Sequence, residues 1–488
     1  MSGEWALIGV IALPIVHALA VALLSRPPGL RDVIHVGFAL AQAVCAVQLA
    51  VGLLHDAAPR IVLARPLPQV ELAFAVEPLG ALTAAVIACL SVLQAAHTSG
   101  SVRALQSREP ARMMAFIALA HAATAALCFS ANLFTFFVAY QALTLAAFPL
   151  VAHEGDAEAR RAARVFLATL LTASVGLFLP AMVWTYALAG AIDFRPGGVL
   201  AGRLDAMTAN FLLALFALGI AMTAIPPVHR WLSAASGSHY PALVSIQALC
   251  VLPAGAIGLL KVTSYVFGPA LGEARYAAFG LLALAGAGMC IAALVALSKQ
   301  DLRERLAYSS MAQALGAATG ALIALPAGAF AATLQIVALA CAGATLTMAA
   351  GTVFAAAGRR NAADYPGLGR AMPWTFGAFA VASASMIGMP PFSGAWAKLW
   401  LITAAADAGM IWAAALAGLT AILTFAHLGP LAASALASEA PPDPFKRPDG
   451  ASLMLVAPVV MSAAATLWLL LTADPLASYL APLWEPPP

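Results

Sequence analysis

Charge is scarce in this chain: Asp, Glu, Lys and Arg make up only 9% of its 488 residues, against 63% hydrophobic. So small a polar supply cannot clothe a water-soluble particle of this length, and no stretch is polar enough for a separate soluble domain. With a mean hydropathy of +0.93, the bilayer must be the solvent for most of it. The net charge of +3 is thin and excludes nucleic acid as an expected partner. The first apolar run, from Trp5 to the residue before Arg26, lacks the basic start of a signal peptide, since the only early charge is Glu4. It is expected to stay as a first helix. Six cysteines (Cys45, Cys89, Cys128, Cys250, Cys290, Cys341) lie in apolar runs without paired ligand spacing. Free buried thiols are expected there, with no disulfide and no metal site. No nucleotide loop, metal constellation or nucleophile triad occurs, so neither a catalytic centre nor a cofactor of the chain's own is expected.

What is present is a succession of apolar runs long enough to cross a bilayer, which makes an all-α polytopic membrane protein the expected fold class. Fourteen spans are expected, at roughly 5–24, 33–54, 78–97, 112–130, 132–152, 161–189, 207–232, 239–267, 275–298, 302–325, 328–357, 374–406, 410–437 and 452–473. Alternate loops then sort the 24 Lys and Arg residues unevenly. One side collects seventeen: Arg26, Arg31, Arg103, Arg108, Arg112, Arg160, Arg161, Arg164, Arg230, Lys299, Arg303, Arg305, Arg359, Arg360, Arg370, Lys446 and Arg447. The other side holds five, Arg60, Arg65, Arg195, Arg203 and Arg275, while Lys261 and Lys398 fall inside spans. Positive charge marks the cytoplasmic side, so both termini are expected on the non-cytoplasmic side.

Two of the spans carry the same interruption. "IAMTAIPPVHRWL" (220–232) and "MIGMPPFSGAWAKLWL" (386–401) each set two prolines inside a long apolar run: Pro226 with Pro227, and Pro390 with Pro391. Proline supplies no N–H to the carbonyl one turn earlier, so each pair frees backbone acceptors at membrane depth. Neighbouring helices or a hydrated cavity must satisfy them. Matched breaks in two halves are the mark of an inverted-repeat transporter, the plainer alternative being a pair of proline kinks that only shape packing. The expected organisation is one membrane domain over 1–488 with two inverted five-helix repeats, spans 4–8 over 112–267 and spans 9–13 over 275–437, in which spans 7 and 12 are broken.

These residues resemble the antiporter-like membrane subunits shared by respiratory complex I, Mrp-type cation/proton antiporters and membrane-bound hydrogenases. The resemblance covers roughly residues 70–430 and rests on "VEPLGAL" (76–82), "NLFTFFVAYQALTLAAFPLVAH" (132–153), "IPPVHRWLSAA" (225–235), "SKQDLRERLAYSSMAQ" (298–313) and the second Pro-Pro stretch. The chain has no long lateral helix after span 14, which suits the M or N type of complex I and the D type of Mrp antiporters. The resemblance implies a prokaryotic cytoplasmic (inner) membrane and other membrane subunits as partners besides the lipid bilayer. Quinone, flavin and iron–sulfur chemistry would reside on those partners, as in an NADH:quinone oxidoreductase-like or hydrogenase translocase.

It also implies a proton path. In such subunits a carboxylate on span 5 pairs with a lysine on broken span 7, and His or Lys groups on spans 8 and 11 lead to a Lys or Glu on broken span 12. Laid onto this chain, the carboxylate place is Gln141 and the span 7 lysine place is Met222. On span 8, Gln247 and Pro253 stand at the places of a histidine and a lysine. On span 11, Gln335, Leu339 and Gly343 stand at the places of two histidines and a lysine. Only Lys398 keeps an ionisable type. Removing one partner of a buried ion pair costs roughly 3–5 kcal/mol, whereas replacing both with neutral groups is tolerated. Gln141 with Met222 is the double replacement, so the first-half relay is expected to be silent.

Each remaining polar residue has a plainer reading beside the functional one. Lys398, costly at the bilayer centre, either carries protons or snorkels to an interface. Lys261, near the end of span 8, is a path candidate or an interfacial anchor. Gln141, Gln247 and Gln335 hold waters in a path or glue helices together. His121 and His427 are proton carriers or packing histidines. "HEGDAEARRAAR" (153–164) reads as a solvated loop. The functional expectation is a membrane subunit of an ion-translocating complex, moving protons or another cation, with its first-half relay lost. The alternatives are a non-conducting scaffold subunit and the membrane partner of an inorganic-carbon uptake complex.

Overall fold

The computed structural model describes residues 3–24, 27–55, 58–439, 441, 445 and 451–483. Arg26, Lys446 and Arg447, which enter the charge sorting, lie outside the described residues. Fourteen helical spans follow one another among the described residues. Spans 1–6 are Gly3–Leu24, Pro28–Leu53, Pro78–Leu105, Pro110–Cys128, Leu133–Val151 and Ala157–Ala189. Span 7 is split into Ala206–Gly219 and Arg230–Ala235, and spans 8–11 are Tyr240–Gly272, Arg275–Ser298, Leu302–Leu322 and Pro326–Ala357. Span 12 is split into Pro373–Ile387 and Ser393–Asp407, followed by Ile411–Ala437 and Leu453–Leu480. Ten of these are long and apolar enough by themselves to cross a membrane.

Helix starts follow local chemistry. Proline opens spans 2, 3, 4, 11 and 12, where the missing N–H has no intrahelical partner anyway. Side chains cap others: Asn132 accepts from Thr135 N, Asp156 from Ala159 N, Asp205 from Thr208 N and Asp301 from Arg303 N. The Asp156 cap corrects the expected loop at 153–164. Span 6 already begins at Ala157, and its charged first turns are helix rather than loop. Span 3 likewise runs to Leu105, eight residues beyond the expected end. Cys89 is exposed, so the expectation of buried thiols holds for the other five only.

Burial sorts the spans into a centre and a rim. The most apolar windows of spans 8 and 11 are 100% buried, against 33% for spans 2 and 13. Spans 6 and 11 each contain a π-turn, Ser174–Phe178 and Leu339–Gly343, and span 8 contains two, Val244–Leu249 and Val262–Phe267. Both split spans break at a Pro-Pro bond in the cis form.

The loops gather at two faces. One is rich in arginine: Arg108, Arg112, His153, Glu154, His239, Arg303 and Arg360 line a single cleft of about 580 Å³. There His239 meets Glu154 at 2.8 Å and Arg112 donates to the His153 carbonyl at 2.8 Å. At the opposite face a β-hairpin, Arg60–Leu67 with Val70–Ala75, covers the helix ends. Its backbone continues into the other loops: Ala75 N donates to Phe129 O, Phe194 N to Ala131 O, and Val199 N to Tyr265 O. The hairpin escaped the sequence reading because its side chains alternate only weakly.

Acid should loosen the arginine-rich face. Burial, with His239 and Arg112 nearby, lowers the His153 pKa from 6.5 to about 4. Between those values the unfolded chain binds the extra proton, so this contribution is fully present above about 6.5 and fades towards pH 4. A His153→Asn variant should lose part of the fall in melting temperature between neutral pH and pH 5. Thermal unfolding in detergent at several pH values measures it.

Candidate functional site

The two breaks are built differently. In span 7 the helix stops at Gly219 and a tight turn, Ala221–Thr223, leads to Ala224 at φ +58°. Carbonyls released here find local donors: the Trp231 indole N–H donates to Ala221 O at 2.8 Å. Met222 N–H donates to the Tyr140 hydroxyl at 3.2 Å, and the Met222 side chain is fully buried. Gly255 of span 8 presses on this turn so closely that a Cβ there would overlap the Met222 carbonyl carbon and the Thr223 nitrogen. Gly255→Ala should therefore destabilise by about 1–3 kcal/mol, read as a lowered melting temperature.

Gln141 does not meet Met222. Its amide donates to Ser174 Oγ, in the π-turn of span 6, at 2.9 Å. The residue that reaches the span 7 break is its neighbour Tyr140. Gln247 donates to Thr347 Oγ1 of span 11 at 3.0 Å, and its own carbonyl oxygen has no protein partner among the described residues. Gln335 donates to Gln313 Oε1 of span 10 at 2.5 Å. Each of the three glutamines therefore ties two spans together.

In span 12 the first half-helix ends at Ile387, Gly388 turns at φ +92°, and the second half begins at Ser393. Lys398 does not snorkel. It is 8% exposed, and its ammonium reaches back across the break to Met386 O at 2.5 Å and Ile387 O at 3.1 Å. A positive group at the last carbonyls of a helix satisfies unpaired acceptors and meets the negative end of the dipole. Gln313 also donates to Met386 O, at 3.2 Å. Lys398, the Met386 carbonyl, Gln313 and Gln335 thus form one line across spans 12, 10 and 11. Beside it lies a cavity of about 10 Å³ touched by Gln313, Gln335, Lys398 and Thr420. That is about the room one water needs, and Gln335 Oε1 lacks a protein partner among the described residues.

Lys261 lies near the hairpin face but inside the protein. It is fully buried, pairs with Glu77 Oε1 at 3.2 Å and donates to the carbonyls of Cys128 and Ser130. Glu77 in turn caps span 3 through Leu79 N and Gly80 N, and accepts from the Tyr265 hydroxyl at 2.6 Å. The pair locks spans 3, 4 and 8 at the hairpin face. His121 bonds Gln94, whereas neither ring nitrogen of His427 has a partner among the described residues.

Sequence reasoning missed Gln313, Tyr140, Ser174, Thr347 and Glu77 as partners. Gln313 and Glu77 were visible as lone polar residues in apolar surroundings, the latter just before a proline that opens a helix. Nothing in the sequence joined them to their partners.

Residues 130–424, more than half of the chain, match the family described as NADH:quinone oxidoreductase/Mrp antiporter, TM. The chain belongs to this family. It is 29% identical over 415 residues to NADH-quinone oxidoreductase subunit N of Desulforudis audaxviator, covering 82% of this chain and 80% of that one. It is 28% identical over 293 residues to subunit M of Mycobacterium tuberculosis, covering 55% of this chain and 52% of the relative. The fold matches a chain of the Mrp complex from Dietzia sp. DQ12-45-1b with a TM-score of 0.85 at 23% identity, covering 99% of this chain and 97% of that one. A chain of respiratory complex I from Thermus thermophilus matches with a TM-score of 0.82 at 23% identity, covering 98% and 100%. This family member is thus an antiporter-like membrane subunit whose relatives are named as subunits of larger complexes.

Proposed function

We propose that this chain is a membrane subunit of a multi-subunit ion-translocating complex in a prokaryotic cytoplasmic membrane, and that it moves protons through its second half. The observation that carries the reading is the buried Lys398 ammonium at the span 12 break, beside a water-sized cavity that Gln313, Gln335 and Thr420 also line. The first half holds the neutral Gln141 and Met222 instead of an ion pair, and its family-type relay is silent. The repeat organisation over 112–267 and 275–437 is supported by the paired Pro-Pro breaks of spans 7 and 12 and the π-turns of spans 6 and 11. The arginine-rich face is cytoplasmic and both termini lie opposite, on the strength of the charge split.

A second reading, a non-conducting scaffold, draws support from Lys398 itself. An ammonium capping two carbonyls performs that task without moving a proton.

Gln313→Leu separates the two. It takes a polar group out of the lining of the cavity beside Lys398 while leaving Lys398 in place, so proton flux through the purified complex in vesicles should fall by roughly tenfold or more. Flux that is absent from the native, correctly assembled complex overturns conduction in favour of the scaffold.

A further inference from the structure

A second polar system, which the family path does not use, lies on spans 1–4. His17 of span 1 and His35 of span 2 share a hydrogen bond, Nε2 to Nδ1, at 2.8 Å. Both are buried, and His35 Nε2 has no protein partner among the described residues. One turn before His35 stand Arg31 and Asp32, and Asp32 is gripped by Arg103 of span 3, whose side chain is 46% exposed at the arginine-rich face. His121 of span 4, also buried, lies on the helix that packs along span 1, which carries His17.

The inner end of this system is oriented. Gln94 Nε2 donates to Pro241 O at 2.9 Å and to Ser245 Oγ at 2.7 Å. A carbonyl only accepts, so the Gln94 amide cannot be turned around, and its oxygen must face His121 Nε2 at 2.8 Å. Neutral His121 therefore carries its proton on Nε2 and presents the Nδ1 lone pair, which meets the Cys250 thiol at 3.7 Å. A packing histidine looks different. His97, also on span 3, engages Thr352 through Nε2 and Ser101 through Nδ1. His35 and His121 each keep one ring nitrogen without a strong partner, which leaves that nitrogen open to a proton.

We propose that His17, His35 and His121 form a proton-carrying unit that links the Asp32–Arg103 end of spans 2 and 3 to the polar centre at Gln94 and Ser245. A proton arriving from water forms an N–H bond at His35 Nε2. The His35 Nδ1–H bond breaks as that proton passes to His17 Nε2, which leaves His35 neutral in its other tautomer. His17 is now the imidazolium. Its excess proton leaves from Nδ1 and is taken up at His121 Nδ1, with water carrying it between the rings. Beyond His121, Ser245 shares a π-turn with Gln247, whose amide donates to Thr347 of span 11. The His121 imidazolium keeps the arriving proton on Nδ1 and gives up its Nε2 proton to water beside Gln94 and Ser245, because an amide oxygen accepts a hydrogen bond without taking the proton.

This inference rests on the reading that the chain conducts protons, and two measurements keep the two apart. In vesicles holding the assembled complex, His35→Phe and His121→Phe should each lower proton flux by roughly tenfold or more, with His97→Gln as the control that keeps it. His35→Gln serves if the aromatic replacement fails to assemble. Native flux that neither the His35 nor the His121 variant changes overturns the unit. Independently of flux, NMR of the histidine-labelled chain in the complex reads exchange of ring N–H protons with water. A proton-carrying unit requires faster exchange at His35 and His121 than at His97. Exchange at His35 as slow as at His97 overturns the proposal even where no flux is seen in the native complex; faster exchange there supports it while conduction itself fails.

Discussion

Replacing Lys398 with Met is expected to abolish proton flux through the reconstituted complex, a loss on the order of a hundredfold or more, while the complex still assembles. Methionine is close in length and flexible enough to fill the same space beside Gly388. What it cannot do is hold a proton or donate to the Met386 and Ile387 carbonyls. Gln313 still serves Met386 O, but leaving Ile387 O without its donor costs about 1–3 kcal/mol, so the melting temperature should drop as well. Arginine splits the two roles. Its guanidinium can still cap the carbonyls but does not release its proton in this range. Lys398→Arg should therefore recover much of the stability lost in Lys398→Met and none of the flux. Flux unchanged in both variants removes Lys398 from the route, and flux restored by Arg assigns it a purely structural cap.

The second large effect is expected at the silent first-half pair. Met222 is fully buried, and the Tyr140 hydroxyl beside it already accepts from the Met222 N–H. Met222→Lys alone places an uncompensated charge there and should cost roughly 3–5 kcal/mol. Gln141→Glu alone also lacks a counter-ion, although its site is half-buried and the Ser174 hydroxyl, which donates to Gln141 Oε1 at 3.3 Å, stays as a donor. It should be the milder of the two single changes and still worse than the pair. The double variant restores the pair type that the family uses, and the two costs should partly cancel. A double-mutant cycle on unfolding in detergent reads the coupling. Since Gln141 turns to Ser174 rather than to Met222, coupling requires the new carboxylate to swing towards span 7. Strictly additive effects would show that it does not.

The legible part of this protein is the part that lipid dictates locally. A backbone in hydrocarbon must satisfy itself, so span count, proline-opened starts and the Pro-Pro breaks at 226–227 and 390–391 all follow from short stretches of sequence. The family-type places of Gln141, Met222 and Lys398 rest instead on the family resemblance of the motifs around them. Where the cue was weaker the reading slipped. The charged start of span 6 reads as a loop by composition, whereas the Asp156 cap starts the helix there.

Partnership belongs to the tertiary structure. Lys261 and Glu77 lie 184 positions apart and meet only because spans 3 and 8 end side by side at the hairpin face. Gln94 joins His121 and Ser245 from three different spans, and Gln335 finds Gln313 rather than Lys398. A side chain's type tells what it can donate or accept, and this survives in sequence. Which partner it finds depends on helix rotation, on the π-turns that shift one face of a span against the next, and on approaches as close as Gly255 to Met222. Those are set by the packing of all fourteen spans at once, so the composition of the polar line was determined by sequence and its connections by the fold.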